Sequence, residues 1–159
     1  MSNSQQISAE HIRIESASSF DEVRAALEAA VPQLNTEAMV ALKNGDIERA
    51  RQELERGPEL SIFLSRDHGS LLEIAGQKRK ALQYDIGNPL TASKMTRYEL
   101  AAALYAPVRV LLYENAAGHG TFEYDSPATA FGQFGDQHVA EVARELDAAL
   151  RRVLQQAAE

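Results

Sequence analysis

The chain has 159 residues, 45% of them hydrophobic and 25% charged, a balance that suits one globular domain able to bury a core without a disulfide or metal staple. It contains no cysteine, which excludes disulfides, thiolate nucleophiles, Cys-ligated zinc and iron–sulfur clusters. The formal charge is −7 and the single basic cluster is Lys78-Arg79-Lys80, which argues against nucleic-acid binding, because phosphates need clustered Lys and Arg.

Residues 1–8 are polar and are expected to fray. His11 to Ser16 alternates, with Ile12 and Ile14 on one face, and predicts a half-buried strand. Ser19 and Glu22 then form a capping box, and Phe20, Val23, Leu27, Ala30, Val31 and Leu34 follow as a helical stripe that Pro32 either ends or kinks. Thr36 to Gly57 predicts two short helices, parted by Asn44-Gly45, the second capped by Asp46 and stopped by Gly57-Pro58. Ala41 to Leu54 is similar to the turn region of a tetratricopeptide repeat. No second copy follows, so 36–57 reads as an inserted helical hairpin.

Leu60 to Ser65 predicts a second strand, expected to be buried on both faces. Asp67-His68-Gly69 breaks it, and a short helix over Ser70 to Ala75 follows. Ala81 to Ile86 is a third strand, closed by Gly87-Asn88-Pro89. Thr96 to Tyr105 predicts a helix with Thr96 as its cap and Glu99 completing the box, stopped by Ala106-Pro107. Val108 to Tyr113 is the clearest strand, rich in β-branched and aliphatic residues. Asn115 to Gly120 reads as a loop with His119 at its tip, and Thr121 to Tyr124 as the returning arm. Ser126-Pro127 and 132–135 read as loop. Asp136 caps a final helix whose stripe is Val139, Val142 or Ala143, Leu146, Leu150 and Leu154. This order predicts a single α+β domain over 1–159: a two-layer, mainly antiparallel sheet with helices packed on one face, plus the inserted hairpin.

Several short motifs, in this order and spacing, carry a resemblance. They are Asp67-His68, Gly87-Asn88-Pro89-Leu90, Met95, the run Tyr105-Ala106-Pro107-Val108-Arg109-Val110-Leu111, Tyr113-Glu114 and Tyr124-Asp125. With the Ser19-Phe20-Asp21-Glu22 helix start and the closing amphipathic helix, they resemble the domain-of-unknown-function 302 family of bacterial and archaeal proteins. The resemblance leaves out residues 1–10 and the hairpin at 36–57. It implies a β-α-β4-α fold similar to half of a TATA-binding protein. No activity comes with it, and the fold likeness implies no DNA binding.

The polar candidates stand where strands give way to loops. Asp67-His68 reads as an acid–base or metal pair, or as a cap beside a backbone-bonded histidine. Asn88 reads as an amide that holds a ligand, or as a turn former before Pro89. Glu114 and Tyr124 read as a carboxylate–phenol pair in a pocket, or as a solvated cross-strand pair. The four histidines lack metal-ligand spacing, and there is no GxSxG elbow, phosphate loop or GxGxxG, so no metal or cofactor is expected. Two functional readings follow. One is a non-catalytic small-ligand or protein-interaction module, expected as a homodimer. The other is a small-molecule enzyme using Asp67, His68, Asn88, Glu114 and Tyr124. The N-terminus lacks an apolar leader, and the longest nearly apolar run, Leu100 to Val108, is far short of the roughly 20 residues of a bilayer span. A cytoplasmic protein that binds neither membrane nor nucleic acid is the expectation.

Overall fold

The computed structural model describes residues 1–159. The first strand, β1 (His11–Ser19), buries Ile12 and Ser16 and exposes His11, Arg13 and Glu15, as period-two alternation requires. Helix α1 (Phe20–Ala30) starts at the predicted capping box: the Ser19 hydroxyl accepts from the Glu22 amide at 3.3 Å, and the Ser19 amide donates to the Glu22 carboxylate at 2.8 Å. The helix stops before Pro32, so the proline ends it rather than kinking it.

The remaining strands are β2 (Ser61–Asp67), β3 (Ala81–Gly87), β4 (Val108–Glu114) and β5 (His119–Asp125). They form one sheet in the order β1-β5-β4-β3-β2, with every neighbouring pair antiparallel. β1 and β2 lie at opposite edges, so the chain crosses the sheet after β1 and returns as a meander. Register then assigns the faces. Ile12, Leu82, Tyr84, Ile86, Val110, Leu112, Phe122 and Tyr124 are buried beneath α1 and a long final helix, α7 (Gln137–Ala158). Leu27, Ile86, Leu112, Leu150 and Leu154 have no exposed surface, and burying a side chain of this size contributes roughly 1.5–3 kcal/mol. Gly120 permits the close approach of α1, because a Cβ there would lie 2.8 Å from a Val23 methyl. The opposite face of the sheet is left uncovered where β1 exposes His11, Arg13 and Glu15 and β4 exposes Arg109.

The predicted helical pair is present as α2 (Thr36–Lys43) and α3 (Ile47–Glu55), capped by Asn35 and Asp46. It buries Ala38, Ala41 and Ala50, none of which belongs to the 26-residue main core. At its base Ile62 bonds on both sides, donating to the Pro32 carbonyl and accepting from the Leu34 amide.

Four elements differ from expectation. β2 is not buried on both faces: Leu60, Ser61 and Ile62 are buried, but Leu64 to Asp67 are exposed, because β2 is an edge strand. The helix expected from Thr96 instead starts earlier, as α5 (Pro89–Thr96), and Thr96 is its last residue. Asn88 is the cap and Pro89 takes the first turn, where its missing N–H costs nothing. A separate 3-10 helix covers Leu100–Tyr105, capped by Glu99 through the Ala101 amide at 3.0 Å. Ser126-Pro127 likewise opens a short helix, α6 (Pro127–Gly132), where loop was expected. His119 is no loop tip: it begins β5 and pairs with Ser19 of β1. No helix is long and apolar enough to cross a membrane.

Candidate functional site

The five sequence candidates divide between the two ends of the sheet. Each follows or closes a strand, and consecutive strands of an antiparallel meander run in opposite directions, so their ends alternate. Asp67, at the end of β2, lies with His68 and Glu114 at the end where β4 turns into β5. Asn88, after β3, lies at the other end with Tyr124. Glu114 and Tyr124 do not meet across the hairpin. Glu114 opposes Gly120, and Tyr124 stands four residues further along β5, about 13 Å away at strand rise. These five side chains therefore do not surround one cavity.

Each has a local role. Asp67 caps α4 (His68–Leu71), accepting from the Ser70 amide at 2.9 Å and the Ser70 hydroxyl at 2.6 Å, and these bonds hold its carboxyl below the usual range. His68 is exposed. Glu114 faces the Lys80 ammonium at 4.0 Å. The Tyr124 ring is buried between β1 and α7, its hydroxyl meets no hydrogen-bond partner, and burial pushes the phenol up to about 12. The Asn88 amide is fully used. Its oxygen accepts from Leu90 at 2.9 Å and Thr91 at 3.4 Å, and its nitrogen donates to the carbonyls of Glu59 at 3.0 Å and Pro58 at 3.4 Å.

Beside Asn88 lies a cavity of about 80 Å³. Ile86 and Gly87 of β3 form one wall, α5 contributes Ala92 and Met95, and the cis-linked pair Ala106-Pro107 leads into Val108 opposite. A Cβ on Gly87 would stand 3.3 Å from the Pro107 Cβ, so glycine keeps that wall open. The lining holds no acid, base or thiol; its polar side chains are Asn88 and Thr91.

The most connected polar group is on the uncovered face of the sheet, and it was not among the sequence candidates. The Glu123 carboxylate accepts from the Tyr113 hydroxyl at 2.7 Å, Arg13 Nε at 2.9 Å and Nη2 at 2.8 Å, and is 2.9 Å from His11 Nε2. Tyr113, His11 and Arg13 together hold its carboxyl down to about 2. His11 Nδ1 lies 2.9 Å from Asp125, and the two carboxylates raise the imidazole above its ordinary 6.5. The carboxylates bind opposite nitrogens of one ring, so they do not converge on a metal ion. The signal was present in the alternation of both strands, since His11 and Arg13 share one face of β1 and Glu123 and Asp125 one face of β5. Pairing them required the register His11↔Asp125 and Arg13↔Glu123.

Residues 40–157, about three quarters of the chain, match the family model described as domain of unknown function DUF302. The chain belongs to the DUF302 family. A crystal structure of an uncharacterized conserved DUF302 protein from Bacillus stearothermophilus has a similar fold, with a TM-score of 0.66 at 15% identity over 92% of this chain and 97% of that one. Comparison with curated proteins gives no match. The DUF302 match opens at Val40, inside α2, so it takes in most of the helical pair that the sequence reading leaves out and omits β1 and the whole of α1, which that reading includes. The motif positions of this DUF302 chain run from Asp67 to Asp125, and two separate segments of them, Gly87, Asn88, Pro89 and Met95 from one and Ala106, Pro107 and Val108 from the other, line the cavity beside Asn88.

Proposed function

We propose that this protein is a non-catalytic small-ligand module whose cavity beside Asn88 receives a small apolar group. One observation carries the reading: motif residues from two separate segments meet around one cavity whose lining holds no ionisable side chain. Such a lining rewards burial of carbon and offers no group to move a proton or attack a bond. About 80 Å³ suits a molecule of a few heavy atoms or the tip of a longer one, well under the roughly 300–1,000 Å³ of sites that enclose drug-sized ligands. The enzyme reading loses its support with the division of Asp67, His68, Glu114, Asn88 and Tyr124 between two ends of the sheet.

The test uses xenon as an apolar probe, since dry apolar cavities take it up. Methyl resonances of Ile86, Met95 and Val108 should shift saturably under xenon, and Ala92→Leu, which places a side chain in the cavity, should abolish the shifts while leaving the fold intact. Absence of shifts in the wild type, or identical shifts in the variant, would sink the reading. For the expected homodimer, the supporting feature is the edge of β2 beyond Ile62, which has no strand partner and exposes Leu64, with Leu71 and Ile74 exposed in the segment that follows. Sedimentation over a concentration series checks it.

A further inference from the structure

We infer a second ligand site, for a small carboxylate with an apolar body, at a fork between the two strands β4 and β5. The pairing of β4 with β5 runs from Glu114↔Gly120 only as far as Leu111↔Glu123. Beyond it each strand stays paired on its other side, β4 with β3 down to Val108 and β5 with β1 down to Asp125. A cavity of about 140 Å³ occupies this end of the sheet, separate from the cavity beside Asn88 and sharing only Pro107 and Val108 with it. Its apolar walls include Leu104 and Tyr105 of the 3-10 helix and Phe131 of α6, and Ile7 reaches it from the segment before β1. The volume is close to the roughly 150 Å³ of a cavity that accepts benzene.

The charge at this site is specific. Arg109 lines the cavity, is exposed, and has no carboxylate within 4.0 Å of its guanidinium. Carboxylates stand on both neighbouring strands, but each is engaged elsewhere. Asp85, its register partner on β3, is held by Arg66 at 2.9 Å, and Asp125, which also lines the cavity, is held by His11 at 2.9 Å. An unpaired guanidinium beside an aromatic-walled cavity matches a ligand that ends in a carboxylate, because the planar fork of Arg donates two parallel bonds to that group. The aryl or branched alkyl body would fill the space between Leu104, Tyr105 and Phe131.

The experiment titrates the full-length protein with phenylacetate and with its uncharged analogue phenylacetamide, following backbone amide resonances. Phenylacetate should produce saturable shifts centred on Leu104, Tyr105, Arg109 and Phe131. Phenylacetamide and the Arg109→Met variant should each bind at least about tenfold more weakly, since a charge-assisted hydrogen bond contributes roughly 1.5–3 kcal/mol. Ala92→Leu, which fills the other cavity, should bind phenylacetate as the wild type does, so failure here is distinguishable from failure of the xenon test. Equal binding of acid and amide, unchanged binding by Arg109→Met with an unchanged melting curve, shifts centred on Met95 instead, or no saturable shift with phenylacetate would each overturn the inference.

Discussion

Glu123→Gln tests whether the uncovered face of the sheet contributes to stability or is merely decorated with charge. In the wild type, Tyr113, His11 and Arg13 converge on one carboxylate that is 20% exposed and lower its pKa from an ordinary 4.5 to about 2. A displacement of that size corresponds to roughly 3 kcal/mol if nothing screens it. His11 and Arg13 are more than half exposed, so water and salt reduce the contribution to about 1–2 kcal/mol. The sign is fixed by the direction of the change. A carboxyl whose folded pKa is depressed contributes stability that is fully present above about 4.5 and is lost as pH falls through about 2. His11 adds an opposite slope: its folded pKa is raised above 6.5, so its contribution is full below 6.5 and fades as pH rises through the raised value. Glutamine keeps an acceptor for Tyr113 but removes the charge that His11 and Arg13 share. Urea unfolding followed by circular dichroism at a series of pH values should show the variant less stable by about 1–2 kcal/mol at pH 7, with the gap closing between pH 4.5 and 2. Two parallel stability curves across that range would refute the reasoning.

Two further outcomes concern the core and its periphery. Leu150 has no exposed surface and lies on the face of α7 that covers the sheet, so Leu150→Ala should cost about 2–5 kcal/mol, and an unchanged denaturation midpoint would show that this face is not packed as described. Replacing Thr36 to Gly57 with a short Gly/Ser linker should leave cooperative unfolding, because Ala38, Ala41 and Ala50 lie outside the main core; loss of the cooperative transition in calorimetry would show that α2 and α3 are integral to the domain.

How much was legible depended on the range of the interaction that decides each feature. The capping box at Ser19, the Asp46 cap and the α7 stripe are settled by neighbours within four residues, and they stand where the sequence placed them. Asn88-Pro89 and Ser126-Pro127 are start signals of the same local kind, a polar residue followed by proline in the first helical turn. In the sequence they read as turn and loop, because proline also punctuates loops and helices of six to eight residues leave little periodicity to find. Alternation in His11 to Ser16 likewise separates a buried from an exposed face without any tertiary information, and β-branched and aliphatic content marks Val108 to Tyr113 as a strand.

The candidate sites were decided elsewhere. A strand end has a sequence signature, but which end of the sheet it occupies follows from strand direction, and antiparallel pairing sent Asp67 and Glu114 one way and Asn88 and Tyr124 the other. The Glu123 cluster needed the β1–β5 register, which joins residues more than a hundred positions apart. The cavity beside Asn88 needed α5 and Ala106-Pro107 folded against the ends of β3 and β4. Local hydrogen bonding and side-chain alternation therefore determined the elements and their buried faces from sequence alone, whereas the places where polar and apolar groups from distant segments meet arose only when pairing fixed direction and register.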